Sequence, residues 1–181
     1  MRSGTHRRLL AGGVVGIGLA IVAVVAVVAL SNDGGGGPGV TRPTSFDLPA
    51  LSGSGRVRVA DFRGKPVVVN FFASWCSSCD FELPGFAKVS DELKGKVTFV
   101  GVDALETGDP LYMPRRHNIQ WWPLASDIGG ANHSGLHDAL GGGTGMPVTA
   151  FYDANGKVLA VERQALPEST LRSELQRLYG I

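Results

Sequence analysis

The chain has 181 residues, 44% of them hydrophobic, and a formal net charge of +1, which suits one domain with a proper core and is too short for two comfortable ones. Of its seventeen Lys and Arg, Arg2, Arg7 and Arg8 lie in the first eight residues, leaving fourteen after Leu30 against sixteen Asp and Glu. A slightly acidic body with no basic stripe among its aromatics argues against nucleic-acid binding.

Residues 9–30, LLAGGVVGIGLAIVAVVAVVAL, carry no charge. At about 1.5 Å per residue they are long enough to cross a hydrocarbon core of about 30 Å. Cationic residues precede this run and none follows until Arg42, so the positive-inside rule keeps residues 1–8 cytoplasmic and puts the body on the extracytoplasmic side of the cell membrane. A buried core helix would need a polar face, and this segment has none. The rival is a cleaved signal peptide, whose apolar stretch normally spans about 7–15 residues; Ala29-Leu30-Ser31 would serve as its small-x-small site. The greater length favours a retained single-pass anchor. No cysteine near the end of the run offers a site for a lipid. Residues 31–45, SNDGGGGPGVTRPTS, are rich in Gly and Pro and read as a flexible tether, with a reach of about 20 Å.

Residues 46–181 form the expected folded domain. Val57 to Phe62 and the turn Arg63 to Pro66 lead into PVVVNFF (66–72), apolar and β-branched with only Asn70 polar, as a strand buried on both faces would be. Both cysteines of the chain follow, in FFASWCSSCDFELPGF (71–86). Cys76 to Leu93 has helical spacing through Phe81, Phe86, Val89 and Leu93, with Gly95 as its stop. KVTFVGVDA (96–104) reads as a second buried strand and Pro110 to Asn118 as a helix, while the Gly-rich 129–145 carries no clear element. PVTAFYDANGKVLAVE (147–162) reads as a hairpin turning at Asp153-Ala154-Asn155-Gly156. Leu171, Leu175 and Leu178 mark a closing amphipathic helix over 167–179. The order strand, helix, strand, helix, hairpin, helix predicts an α/β domain with a mixed sheet between helices.

The cysteine pair has three readings. As a structural staple it would close one of the shortest loops available, where the chain-entropy gain is smallest. As a metal site it lacks the further ligands that about four-fold coordination needs. His133 and His137 lie more than fifty residues away in the Gly-rich region, so no metal site and no cofactor are expected. As a redox pair it has a positive argument. A strand running directly into a helix sets Cys76 at the helix N-terminus, where unpaired N–H groups and the dipole favour a thiolate. Cys79, one turn on and on the same face, would be the resolving thiol behind an exposed Cys76 nucleophile.

PVVVNFFASWCSSC resembles the active-site strand and helix of the thioredoxin superfamily. FDLPALSGSGRVRVADFRGKPVVVNFFASWCSSCDFELPGF is similar more narrowly to the membrane-anchored TlpA/ResA/CcmG-like thiol–disulfide oxidoreductases, and the likeness continues through FVGVDA and GMPVTAFYDANGKV. The resemblance implies a thioredoxin-like fold with an N-terminal β extension, and thiol–disulfide exchange with protein thiols and disulfides. It implies a cis-proline at Pro147 facing the cysteines and exposing the preceding backbone for substrate pairing, with Met146 shaping the substrate groove. Glu82 matches the family's acid three residues after the second cysteine and would take the resolving thiol's proton. Trp75 would cover the pair, and Pro84 matches a helix-kinking proline. Asn70 stands where soluble thioredoxins carry a buried acid, which moves proton handling toward Glu82. The Ser77-Ser78 dipeptide, lacking proline, leaves the reduction potential open.

The anchored family's habit favours a reductant of apocytochrome c or other secreted disulfides, served by a membrane electron donor or acceptor. A disulfide-forming oxidase is the alternative. A copper chaperone of the same fold would hold Cu(I) through the thiolates and His133 or His137, and a peroxidase would need an Arg beside Cys76, where none is adjacent. Trp121-Trp122-Pro123 reads as packing and Arg115-Arg116-His117 as a solvated helix end.

Overall fold

The computed structural model describes residues 45–127 and 135–181. The predicted cytoplasmic segment, anchor and most of the tether lie outside the described residues, as does His133. Among the described residues, no helix is long and apolar enough to cross a membrane.

The chain opens with a two-stranded antiparallel ribbon, β1 (Asp47–Pro49) against β2 (Arg56–Arg58), and a 3-10 turn over Val59–Phe62. Strand β3 (Val67–Phe72) is buried at all six positions, as its unbroken β-branched and aromatic run requires. It leads into α1 (Ser77–Glu92), which crosses over to β4 (Thr98–Ala104), parallel to β3. A short helix, α2 (Tyr112–Arg116), precedes β5 (Leu124–Asp127), again parallel. After α3 (Leu136–Ala139), the hairpin of β6 (Val148–Tyr152) and β7 (Val158–Glu162) joins the other edge of β3, and α4 (Glu168–Tyr179) closes the fold. The five-stranded sheet runs β5-β4-β3-β6-β7.

Alternation along β3 assigns its side chains to two cores. Val67, Val69 and Phe71 join Leu48, Val57, Leu136 and Leu140 on the face covered by the ribbon and α3. Val68 and Phe72 join Leu83, Phe86 and Val89 of α1 and Leu171 and Leu175 of α4 on the other. Each such side chain contributes about 1.5–3 kcal/mol on burial. Tyr179, at the end of α4, brings its hydroxyl to the carbonyl oxygens of Val67 and Tyr152, at 3.2 and 3.0 Å. In the hairpin turn, Asp153 Oδ1 accepts from the backbone N–H groups of Asn155 and Lys157.

Four sequence expectations need correction. Strand β5 was not anticipated, since LASD is four residues long with a weak pattern and pairs only because β4 offers it an edge. The helix expected over 110–118 is a single turn of five residues. Phe81 is 68% exposed; the buried stripe of α1 is instead Cys79, Glu82, Leu83, Phe86, Val89 and Ser90, a tighter three- and four-residue spacing. Arg115 and Arg116 are exposed at the helix end as expected, but His117 is not solvated: its Nε2 lies 2.7 Å from Asp80 Oδ1 on α1, which Arg116 Nε also bonds at 2.6 Å. The tryptophans do pack: Trp122 is buried and donates to Ser90 Oγ, while Trp121 is half-exposed beneath Lys94.

Helices α1 and α4 come close at Gly85, where a Cβ would lie 3.0–3.2 Å from the Cβ, Cα and N of Glu168. Lys88 to Glu168 (2.9 Å) and Arg172 to Glu92 (2.8 Å) flank that contact. A methyl group there must push against backbone, an overpacking cost of about 1–3 kcal/mol, against a helix-propensity gain of about 1 kcal/mol for Ala over Gly. Gly85→Ala is therefore expected to lower the urea midpoint, with a net loss of up to about 2 kcal/mol. A variant more stable than the parent would show that α4 yields freely.

Candidate active site

Strand β3 ends at Phe72, and Ala73, Ser74 and Trp75 carry the chain over the end of the sheet to Cys76, the N-cap of α1. Cys76 has extended backbone geometry, and its sulfur accepts from the Cys79 N–H at 3.0 Å, while its carbonyl accepts from Asp80 N–H. A sulfur atom thus takes the place of the usual Ser or Asp side-chain oxygen as cap, and one otherwise unpaired N–H of the helix end points at it. The two cysteines form a disulfide with Cα atoms 5.2 Å apart.

The expected exposure of Cys76 is not met: it is 3% exposed and Cys79 is 0%. Cys76 belongs to the buried apolar cluster that also holds Phe72, Met113 and Ile119. It remains on the wall of a surface cavity of about 110 Å³ shared with Trp75, Asp80 and Tyr112. Trp75 is half-exposed there, and its Nε1 donates to the Leu105 carbonyl at 2.8 Å. Trp75 therefore stands at the rim beside Cys76, its ring fixed by the loop after β4.

One turn deeper, Glu82 is 1% exposed. Its Oε1 accepts from Asn70 Nδ2 and its Oε2 from the Leu166 N–H, both at 2.7 Å. Asn70 also donates to Thr149 Oγ1 on β6 at 3.1 Å. Burial pushes the Glu82 carboxyl up to about 7, against the opposing pull of the N–H groups of Leu166 and Asn70. Cys79 and Glu82, three residues apart on one helix face, are neighbours. Pro84 lies inside α1, which continues through it.

Met146–Pro147 is a cis peptide bond. Phe71 pairs with Val148 across the antiparallel ladder, so Pro147 and Met146 fall beside Phe72 and Ala73, at the end of the sheet that carries the cysteines. Pro147 is buried, and the partly buried Met146 packs on the core cluster that contains both cysteines.

Two acids beside the turn escaped the sequence reading. Glu106 accepts from Ser74 N (2.7 Å), Ser74 Oγ (2.5 Å), Thr107 N (2.8 Å) and Gly108 N (2.6 Å). Burial alone would raise its pKa, but the donors of Ser74 and Gly108 outweigh it and bring the carboxyl to about 2. Asp103, fully buried and opposite Phe72 in the ladder, finds no donor among the described residues for either oxygen. Burial, and then the Glu106 carboxylate, push it up to about 8. The only sequence signal for the pair was an acid at an inward position of an otherwise apolar strand. Asp80, at the cavity, is held below the usual carboxylate range by the Arg116 guanidinium and, more weakly, by His117.

His137, a copper candidate, packs edge-on against Phe71, whose core lies on the sheet face away from the cysteines. Its Nε2 lies 3.0 Å from the Gly145 carbonyl. Among the described residues, no group of three or more His, Cys, Asp or Glu side chains converges as a metal site would.

Residues 41–161 match the model of the AhpC/TSA family. Over 137 residues the chain is 31% identical to the thiol:disulfide interchange protein DsbE of Pseudomonas fluorescens biotype C, covering 75% of this chain and 72% of that protein. It is 26% identical to the thiol-disulfide oxidoreductase ResA of Bacillus thuringiensis subsp. konkukian over 74% of this chain and 75% of that one. The solved structure of the DsbF of Mycobacterium tuberculosis, in mixed oxidised and reduced forms, superposes with a TM-score of 0.62 at 25% identity, over 76% of this chain and 99% of the other. With a Cys76–Cys79 disulfide at the junction of a central strand and helix, and these relatives beside it, the chain belongs to the AhpC/TSA family and is a thioredoxin-like thiol–disulfide oxidoreductase of the DsbE/ResA type.

Proposed function

We propose that this oxidoreductase works on the extracytoplasmic side of the membrane, tethered by residues 9–30, and reduces disulfides of secreted proteins, those of apocytochrome c among them. The observation that carries the exchange chemistry is the asymmetric pair: Cys76 at a helix cap on a cavity wall, and a sealed Cys79 with a buried carboxyl on its own helix face. The uncharged run behind Arg2, Arg7 and Arg8 supports the location. The resemblance of 46–86 to the anchored family supports the direction.

In the reduced protein the Cys76 thiolate attacks a substrate disulfide, forming a Cys76–substrate bond and expelling one substrate thiolate. Glu82 takes the Cys79 proton, and the Cys79 sulfur attacks Cys76 and expels the second substrate thiolate. The substrate gains two electrons and the protein regains its disulfide, which a membrane dithiol donor must then reduce. Trp75 and Met146 line the approach, and the backbone before Pro147 pairs with the partner chain.

The opposite direction has one observation in its favour. The Cys79 N–H bond to Cys76 Sγ would also stabilise the thiolate, and stabilising the reduced form makes a pair more oxidising. Equilibration with glutathione decides between them. A potential near about −270 mV is expected for the reductant, and one near about −120 mV would exclude it.

Cys76→Ser is expected to bring reduction of a test protein disulfide to background. Cys79→Ser should instead accumulate a mixed disulfide, visible on a non-reducing gel. A Cys76→Ser protein that works at the parental rate would remove the reading.

Glu82 should show itself in pH dependence. As a base it acts when ionised, so the rate of Cys79 attack is expected to rise as pH passes through about 7. Glu82→Gln should lose that rise, with a rate at neutral pH lower by about 10²-fold. The stability sign is opposite. A carboxyl with folded pKa raised from 4.5 to about 7 binds more protons in the folded state between those values, so its contribution is greatest below 4.5 and falls as pH rises to 7. Urea midpoints of parent and Glu82→Gln should therefore diverge in slope across that window. Parallel slopes would mean that Glu82 does not hold its proton in the fold.

A further inference from the structure

Beyond the cysteine face, one buried side chain is joined to the substrate edge by a chain of direct contacts. His137 is 3% exposed, and the turn from Gly141 to Gly145 is built around its ring. Its Nε2 is 3.0 Å from Gly145 O; a carbonyl only accepts, so the proton of this bond resides on Nε2. A Cβ on Gly142 would fall 2.3–2.6 Å from the atoms Cε1, Nε2 and Nδ1, so only glycine lets the backbone cross the ring. Gly142 N–H in turn donates to His137 O, and Gly145 N–H to Gly142 O, both at 2.9 Å. The backbone N–H of His137 is fixed to Asp127 Oδ2 at the end of β5 (2.7 Å), and the ring meets Phe71 of β3 with centroids 5.4 Å apart. Gly145 is the residue before Met146, and Met146–Pro147 is the cis bond at the cysteine end of the sheet.

We propose that His137 is a positioning residue for partner binding, setting the Gly145–Met146 backbone from the far side of the sheet. This rests on the reading above, in which the chain before Pro147 pairs with the partner polypeptide. The functional bond is one N–H to one carbonyl. The ring reaches Phe71 but not the cysteines, so its influence falls on docking and not on sulfur chemistry. The Nδ1 atom fits that assignment: it is buried without a hydrogen-bond partner among the described residues, with the Asp138 carboxylate 3.8 Å away. Among the described residues the ring is thus hydrogen-bonded through Nε2 alone.

The test measures kcat and KM for a protein disulfide, the thiol–disulfide potential and thermal stability for parent, His137→Leu and His137→Gln. Leucine removes the donor, and the glutamine amide can restore it at about the reach of Nε2. The expected result is a KM about tenfold higher in His137→Leu, about 1.4 kcal/mol, with kcat within about twofold and the potential unchanged, and recovery of most of the affinity in His137→Gln. An unchanged KM in His137→Leu overturns the proposal. So does a fall in kcat and KM alike that follows lost stability and that glutamine does not rescue. If His137→Leu does not fold, His137→Gln is compared with His137→Asn, whose amide reaches only the Nδ1 position, and equal KM values in those two overturn it. A parent that reduces a small disulfide but no protein disulfide fails the underlying reading and this inference together, whereas normal parental turnover with an unmoved KM in the variants fails this inference alone.

Discussion

Burial of β3 on both faces is the constraint from which the rest of the site follows. A strand with helices above and a ribbon below must be apolar throughout, and five of its six residues are. The sixth, Asn70, is a buried amide that must find partners or cost several kcal/mol. Its Nδ2 finds them in Glu82 on α1 and Thr149 on β6, while its Oδ1 has no partner among the described residues. One polar position in the central strand therefore ties the cysteine helix to β6, the strand that follows Pro147. The same carboxyl reaches the Leu166 N–H before α4, so three elements meet at one buried acid. Alternation places Asn70 on the α1 side; a one-residue slip would turn it, and the bond network, to the other core.

Three carboxyls around the cysteine turn show how donors decide protonation once water is excluded. Glu106 collects four donors and stays ionised; Glu82 has two and sits near neutrality; Asp103 has none and holds its proton to about 8. Glu106 is also only partly buried, so a lighter desolvation acts together with its donors, whereas Glu82 and Asp103 are both buried and differ in the donors they meet. Glu106 is a structural anion: it pins Ser74, two residues before Cys76, and with the Trp75 bond to Leu105 fixes the approach to the helix cap. Glu82 alone combines a place on the Cys79 helix face with a pKa that lets it gain and lose a proton near neutral pH, the combination a proton carrier needs.

What the sequence made legible was what local chemistry writes locally. The β-branched run, the DANG turn, the leucines of α4 and the spacing of Cys76 and Cys79 each specify an element without reference to the rest. The long elements came out at their observed places within a residue or two, and Pro147 was placed by its resemblance-bearing motif. What depends on distant partners was not visible. Phe81 belongs to an apolar stripe only if α1 is rotated away from the sheet, and burial of Leu83, Phe86 and Val89 fixes the rotation instead, carrying Cys79 and Glu82 inward with them. Strand β5 exists because β4 has an unfilled edge, and Asp103 and Glu106 meet only because the chain doubles back after β4. His117, read as solvated, is drawn under Asp80.

The unequal burial of the two sulfurs bears directly on the proposed exchange. A thiolate that attacks from a cavity wall can receive only a partner narrow enough to reach it, since Trp75 and Tyr112 stand at the rim. Once that partner is attached, outside thiols meet the same obstruction, while Cys79 lies 5.2 Å away by Cα distance and needs no access to solvent. Release by the internal thiol is then favoured by proximity, and the proton it must lose has one nearby acceptor on the same helix face, Glu82. In the proposed exchange, sealing Cys79 would protect it from competing disulfides and make its deprotonation depend on Glu82. An apolar residue in place of that buried acid would pack at least as well in the core, but would leave the mixed disulfide of the proposed mechanism without that proton acceptor.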